Sequence, residues 1–184
     1  GLTSSALIIP EGVVLGAYGT GEKPLLQGAL EDANSSEFWE LYYEQDGAKI
    51  WKAVQPTYYC PIIVFNDGEK WARPVMPGMD ANGQYLSEDG SFFNVVNEFT
   101  KDLQFASLLD MTQLGANTNV ENSAVKGALY LRCDKGNPAE VFEDVAVPQA
   151  ASGLVLRTNA TICDIALRYF TCNGALMDGY DGFH

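Results

Sequence analysis

The residues best suited to chemistry gather at the end of the chain. MDGYDGFH, residues 177–184, sets Asp178 and Asp181 three apart and closes on His184, the only histidine. Two carboxylates and an imidazole at that spacing could hold a cation through oxygen ligands, or divide acid and base roles between them. Asp-Gly pairs are also ordinary turn formers between strands. Both readings stand for Asp178, Asp181 and His184, the catalytic candidates.

A second set is aromatic. Trp39, Tyr43, Trp51 and Trp71 are candidate substrate-binding residues, with Tyr42, Tyr58 and Tyr59 beside them in sequence. Flat aromatic faces stack on sugar rings when exposed, and fill a core when they sit on the inner positions of a strand. Tyr42 and Tyr43 are adjacent, so on a strand one of them faces outward.

Other motifs carry less. Cys60, Cys133, Cys163 and Cys172 show no CxxC or Cys/His grouping, so a zinc site is not expected and no metal ligand is assigned. They either pack as small apolar core residues or, for Cys163 and Cys172, pair as a disulfide. GAYGTGEK, at 16–23, lacks the Gly-Lys-Ser/Thr ending of a phosphate loop, and no helix pattern follows it. Asn34-Ser35-Ser36 and Asn159-Ala160-Thr161 are glycosylation sequons that matter only in a host that glycosylates.

Composition narrows the partners. Eleven Lys and Arg against 24 Asp and Glu give a net charge of −13, a field that repels phosphate backbones and anionic lipid. Nucleic acid and membrane surfaces are therefore not expected partners. A hydrophobic content of 47% in 184 residues suffices for a packed core. No apolar run approaches the roughly 20 residues of a membrane span. GLTSSALIIPEG lacks the basic region of a signal peptide, so the expectation is a start behind a cleaved leader or at an internal boundary.

The elements that must position these residues read as strands. SALII, VVLGAY and PLLQGAL follow one another over 4–29, with Pro10-Glu11-Gly12 as a turn. FWELYY and KIWKAV flank Asp46-Gly47, and PIIVF and EKWARPV flank Asn66-Asp67-Gly68, two hairpin signals. Spacing of Leu103, Ser107, Leu108 and Met111 predicts a short amphipathic helix over 100–115, capped by Gly115. GALYLRC at 127–133 predicts a strand, with VFEDVAV at 141–147 returning as its partner. In GLVLRTNATICDIALRYF, LVL at 154–156 and TICDIALRY at 161–169 are strands joined by a polar turn, with Ile162, Ile165 and Leu167 inward and Asp164 and Arg168 outward.

In this order the segments resemble the right-handed parallel β-helix proteins of the pectate-lyase-like superfamily. The opening SALIIPEGVVLGAYGTGEKPLLQ, the hairpins IWKAV and VFNDGEKWARPVMP, the LYLR strand and the 153–170 stretch each fit a segment of that family. The resemblance implies an all-β fold: the start of a β-helix with an inserted antiparallel β-hairpin domain. Its parts would be opening strands at 1–30, an inserted domain at 31–148, and first rungs at 149–184, with further rungs expected beyond His184. One rung cannot bury its inward side chains alone, so rungs must stack.

The function this resemblance implies is binding or degradation of polysaccharide by a secreted or surface β-helix protein. An enzyme of this kind would be a polysaccharide lyase or glycoside hydrolase, with calcium as the cofactor such sites sometimes use. The alternative is a non-catalytic structural protein such as an adhesin, a fibre subunit or a viral tail component. Expected partners are a polysaccharide and, through an uncapped solenoid end, a second copy of the chain. The expected location is extracellular or the cell surface.

Overall fold

The computed structural model describes residues 6–111, 125–171 and 173–177, and these are mostly strand with a few short helical turns, an all-β chain. The chain divides into two compact units, Gly1–Leu30 with Pro148–His184, and Glu31–Val147.

The first unit is built from parallel pairs. Strands Leu7–Ile9, Val14–Gly16 and Leu25–Gln27 come from the start of the chain. Ser152–Leu156, Thr161–Cys163 and Ala166–Arg168 come from its return. They pair one to one and all parallel, and Asn173–Met177 adds in parallel on the other side of Ser152–Leu156. The registers stack like on like: Leu7 with Leu154, Leu15 with Ile162, Leu26 with Leu167. Buried Ile9, Leu154 and Leu156 form the centre, with Leu15, Leu26, Ala160, Ile162 and Leu167 packed around them. Strands of three to five residues bury almost nothing alone, so this stacking is what makes them strands.

Two details differ from the sequence reading. The strand expected over 161–169 is two strands, broken at Asp164, whose φ of 55° lies in the left-handed region. Asn159 and Tyr169, on either side of the pair, have φ of 59° and 58°, so each change of direction falls on a left-handed residue. Secondly, Ile162, Ile165 and Leu167 are half-buried rather than buried; among the described residues the strands Thr161–Cys163 and Ala166–Arg168 each pair on one side, with Val14–Gly16 and Leu25–Gln27. Asp164 and Arg168 are exposed as expected.

The second unit is antiparallel at heart. Its main sheet runs Trp39–Gln45, Ala48–Ala53, Lys126–Arg132, Gln104–Leu109, Arg73–Pro74, with only the last pair parallel. Asp46 and Gly47 turn the first hairpin with φ of 51° and 85°, the two positive values a two-residue turn needs. The second hairpin pairs Val64–Phe65 with Lys70–Trp71 around Asn66, Asp67 and Gly68, all with positive φ. Ile50, Val95, Phe99 and Ala106 form one cluster of the core, and Phe65, Phe105, Leu129 and Leu131 are fully buried.

The helix expected over 100–115 is a strand, Gln104–Leu109, as far as the described residues run; 112–115 lie outside them. Pairing on both sides decides it. Lys126–Arg132 and Arg73–Pro74 take up its backbone groups, and that outweighs a helical spacing of apolar side chains. The helical turns lie elsewhere, at Val95–Glu98 behind an Asn94 cap and at Pro138–Val141 behind an Asn137 cap. VFEDVAV does not return beside 127–133, whose two edges are already occupied. Val145–Ala146 pairs instead with Val64–Phe65.

Candidate functional site

Alternation along the extended chain from Lys70 to Pro74, where it passes from one sheet to another, creates the most distinctive surface feature. Ala72 is fully buried and its N–H donates to the Ile63 carbonyl at 2.9 Å, which turns Trp71 and Arg73 on either side of it outward. Trp71 is 61% exposed, an unusual setting for so large an apolar side chain. Glu69, Lys70, Trp71 and Arg73 form one wall of an open groove of about 620 Å³, and Lys101, Asp102 and Leu103 the other.

The backbone fixes the two walls to each other. The Arg73 N–H donates to the Leu103 carbonyl at 2.7 Å, and the Leu103 N–H to the Arg132 carbonyl at 3.0 Å. Leu103 has a φ of 58°, a strained conformation for a bulky residue that its neighbours hold in place. Asp102 accepts the Asp134 N–H at 2.9 Å. Beneath, Arg132 grips Asp134 through Nε at 2.8 Å and Nη2 at 3.0 Å, and its Nη1 donates to the Phe99 carbonyl at 2.7 Å. That fork raises the guanidinium pKa above its usual range, with partial burial working against it. Burial pushes the Asp134 carboxyl up, but the Arg132 hydrogen bonds, the Lys49 N–H and the guanidinium charge together draw it below the ordinary range.

Arg132 is thus committed to structure, whereas Arg73 and Lys101 have no ion-pair partner among the described residues. Lys70 lies 5.9 Å from the Phe142 ring centroid. Three of the chain's eleven cations therefore line one groove with an exposed tryptophan, beside two acids, Glu69 and Asp102, in a molecule carrying −13. An aromatic face flanked by unpaired cations can stack on a ring and attract an anionic substituent of it.

The other aromatic candidates are placed differently. Trp39 is 3% exposed and its indole N–H donates to the Ala33 carbonyl at 3.1 Å, so it is core and not a platform. Trp51 is half-buried with its N–H on the Cys133 carbonyl. Tyr43 packs against the Ile50 cluster, and its hydroxyl donates to Gln45. Its neighbour Tyr42 is the outward one and meets Tyr130 edge-on at 5.0 Å. Of the four candidates, Trp71 alone presents an open face. Asp178, Asp181 and His184 lie outside the described residues.

Sequence reasoning missed Arg73, Lys101 and Asp102. The pattern Trp-Ala-Arg held a usable signal, a small residue between two large ones on a strand. Lys101 is thirty residues from Trp71 and had none. Among the described residues no three His, Cys, Asp or Glu side chains gather as metal ligands would. Cys60, Cys133 and Cys163 are free thiols; the first two are buried and the third exposed, while Cys172 lies outside the described residues. Among the described residues no helix is long and apolar enough to cross a membrane.

No protein-family model matches the chain, and neither a curated protein nor a solved structure is significantly similar to it.

Proposed function

We propose that this chain opens a parallel β-helix carrying an inserted antiparallel unit, and that the inserted unit binds polysaccharide at Trp71. The exposed indole in a groove shared with Arg73 and Lys101 carries the reading: a stacking surface for a sugar ring, with cations in the same groove to meet a carboxylate or sulfate on it. The six parallel strands in like-on-like register support the β-helix part. A glycan ligand implies an extracellular or cell-surface setting.

The test is binding to immobilised polygalacturonate beside a neutral glucan. Trp71→Ala should weaken both by about tenfold, equivalent to about 1.4 kcal/mol. Arg73→Gln should weaken the acidic polymer alone and flatten its salt dependence. Retention of full binding by Trp71→Ala would remove the groove from consideration.

A second reading, a non-catalytic fibre, adhesin or tail component, is favoured by a different observation. Ile8, Val155 and Leu176 are in register across the three-stranded sheet, on the face away from Ile9, Leu154 and Leu156. Ile8 and Leu176 are 54% and 42% exposed, an apolar ladder suited to contact with another chain. Light scattering separates the readings: self-association abolished by Ile8→Lys supports the fibre, and a monomer at all concentrations counts against it.

A further inference from the structure

The methionines of this chain are not scattered. It has four, and Met76, Met79 and Met111 line a single pocket of about 280 Å³ in the 31–147 unit. We infer that this pocket is a second ligand site, separate from the Trp71 groove, and that it takes a neutral aromatic ring.

The walls are set by backbone pairing. Val75 donates its N–H to the Phe105 carbonyl at 2.8 Å, and Met79 lies opposite Tyr85 in a hairpin whose turn is held by Asp80 accepting from the Asn82 and Gln84 amides. Phe105 and Cys60, each 1% exposed, close the floor. The rim is open: Met76 is 73% exposed, Met79 45% and Tyr59 40%. Exposed apolar side chains gathered around a concavity, rather than spread singly, are the mark of a binding surface.

Polarity identifies the ligand. None of the lining residues is charged. Three polar groups of the wall already have partners, which leaves the Tyr59 hydroxyl at the open rim. Ser107 accepts the Cys60 N–H at 3.0 Å, the Cys60 thiol bonds to the Ile62 carbonyl at 2.9 Å, and the Tyr85 hydroxyl donates to the Leu109 carbonyl at 3.1 Å. A charged or strongly polar ligand would lose its hydration there and gain no counter-charge. An aromatic ring loses little and gains thioether contacts, worth about 0.3–1.5 kcal/mol each. An apolar cavity of about 150 Å³ is enough for benzene, so this volume admits one ring or two fused ones.

The fourth methionine makes the test internally controlled. Met177, 61% exposed in the other unit, is more open to chance contact than Met79 at 45%. Protein carrying ¹³C in its methionine methyl groups, assigned by single Met→Leu substitutions, is titrated with indole and, separately, with benzoate. Ring-current shifts should appear at Met76, Met79 and Met111, saturate with indole, leave Met177 unmoved, and be weaker by tenfold or more with benzoate. Met79→Trp, on an exposed strand, should fill the pocket and remove the response of Met76 and Met111. The inference is overturned if the three resonances stay fixed up to the solubility of indole, if Met177 moves with them, if benzoate matches indole, or if folded Met79→Trp responds as the parent does.

Discussion

What separates Trp71 from Trp39 and Trp51 is a hydrogen bond. The last two give their indole N–H groups to backbone carbonyls and lie in or against the core, whereas Trp71 stands outside with cations beside it. The cysteines sort in the same way. Burial pushes the Cys60 thiol up to about 12 and the Cys133 thiol to about 11. At pH 8 both therefore stay almost wholly protonated, and so unreactive, thiols. Ellman's reagent should label Cys163 promptly in native protein and reach Cys60 and Cys133 only on unfolding; prompt native labelling of Cys60 would refute its burial. Asp134 supplies a pH prediction. Its folded pKa is depressed, so its contribution to stability is present above the unfolded carboxylate value of about 4 and is lost as pH falls through the folded value. Asp134→Asn should melt below the parent at pH 7, with the gap closing in the acid range. A gap independent of pH would mean that the Arg132 fork is not its cause.

At the scale of elements, glycines and turns were the legible part. Asp46-Gly47 and Asp67-Gly68 turn hairpins because their types tolerate positive φ, a local property that needs no knowledge of the rest of the chain. Gly68 has open space where a side chain would go, so Gly68→Val should cost about 1 kcal/mol or more through backbone strain alone. Gly127 is the opposite case: a Cβ there would run into the Leu108 carbonyl oxygen. Gly127→Ala should destabilise by about 3 kcal/mol, by forcing apart strands Gln104–Leu109 and Lys126–Arg132. Equal melting temperatures for the two variants would contradict that distinction. The strand at 104–109 was not legible, since partners at 73–74 and 126–132 decide it and short-range spacing carries no trace of them. For the same reason the groove was half visible. Trp71 could be named from its type, but Lys101 reaches it only through that misread strand.

At the scale of the molecule, the chain runs through one unit, leaves for 31–147, and returns to the first. The return makes the parallel pairs, since Leu7–Ile9 and Ser152–Leu156 are about 145 residues apart in sequence and adjacent in the sheet. Gly153 marks how closely the returned strand is approached, with the Gly174 carbonyl 2.6 Å from where its Cβ would be. Sugar binding at Trp71 belongs to the other unit, and a single fluorescence experiment reaches it. Acrylamide should quench Trp71 selectively, because Trp39 is enclosed and Trp51 half so. Millimolar oligogalacturonate should protect that tryptophan, and Trp71→Phe protein should show neither the quenching component nor its protection. Undiminished quenching of Trp71 in the presence of the oligosaccharide would contradict the account.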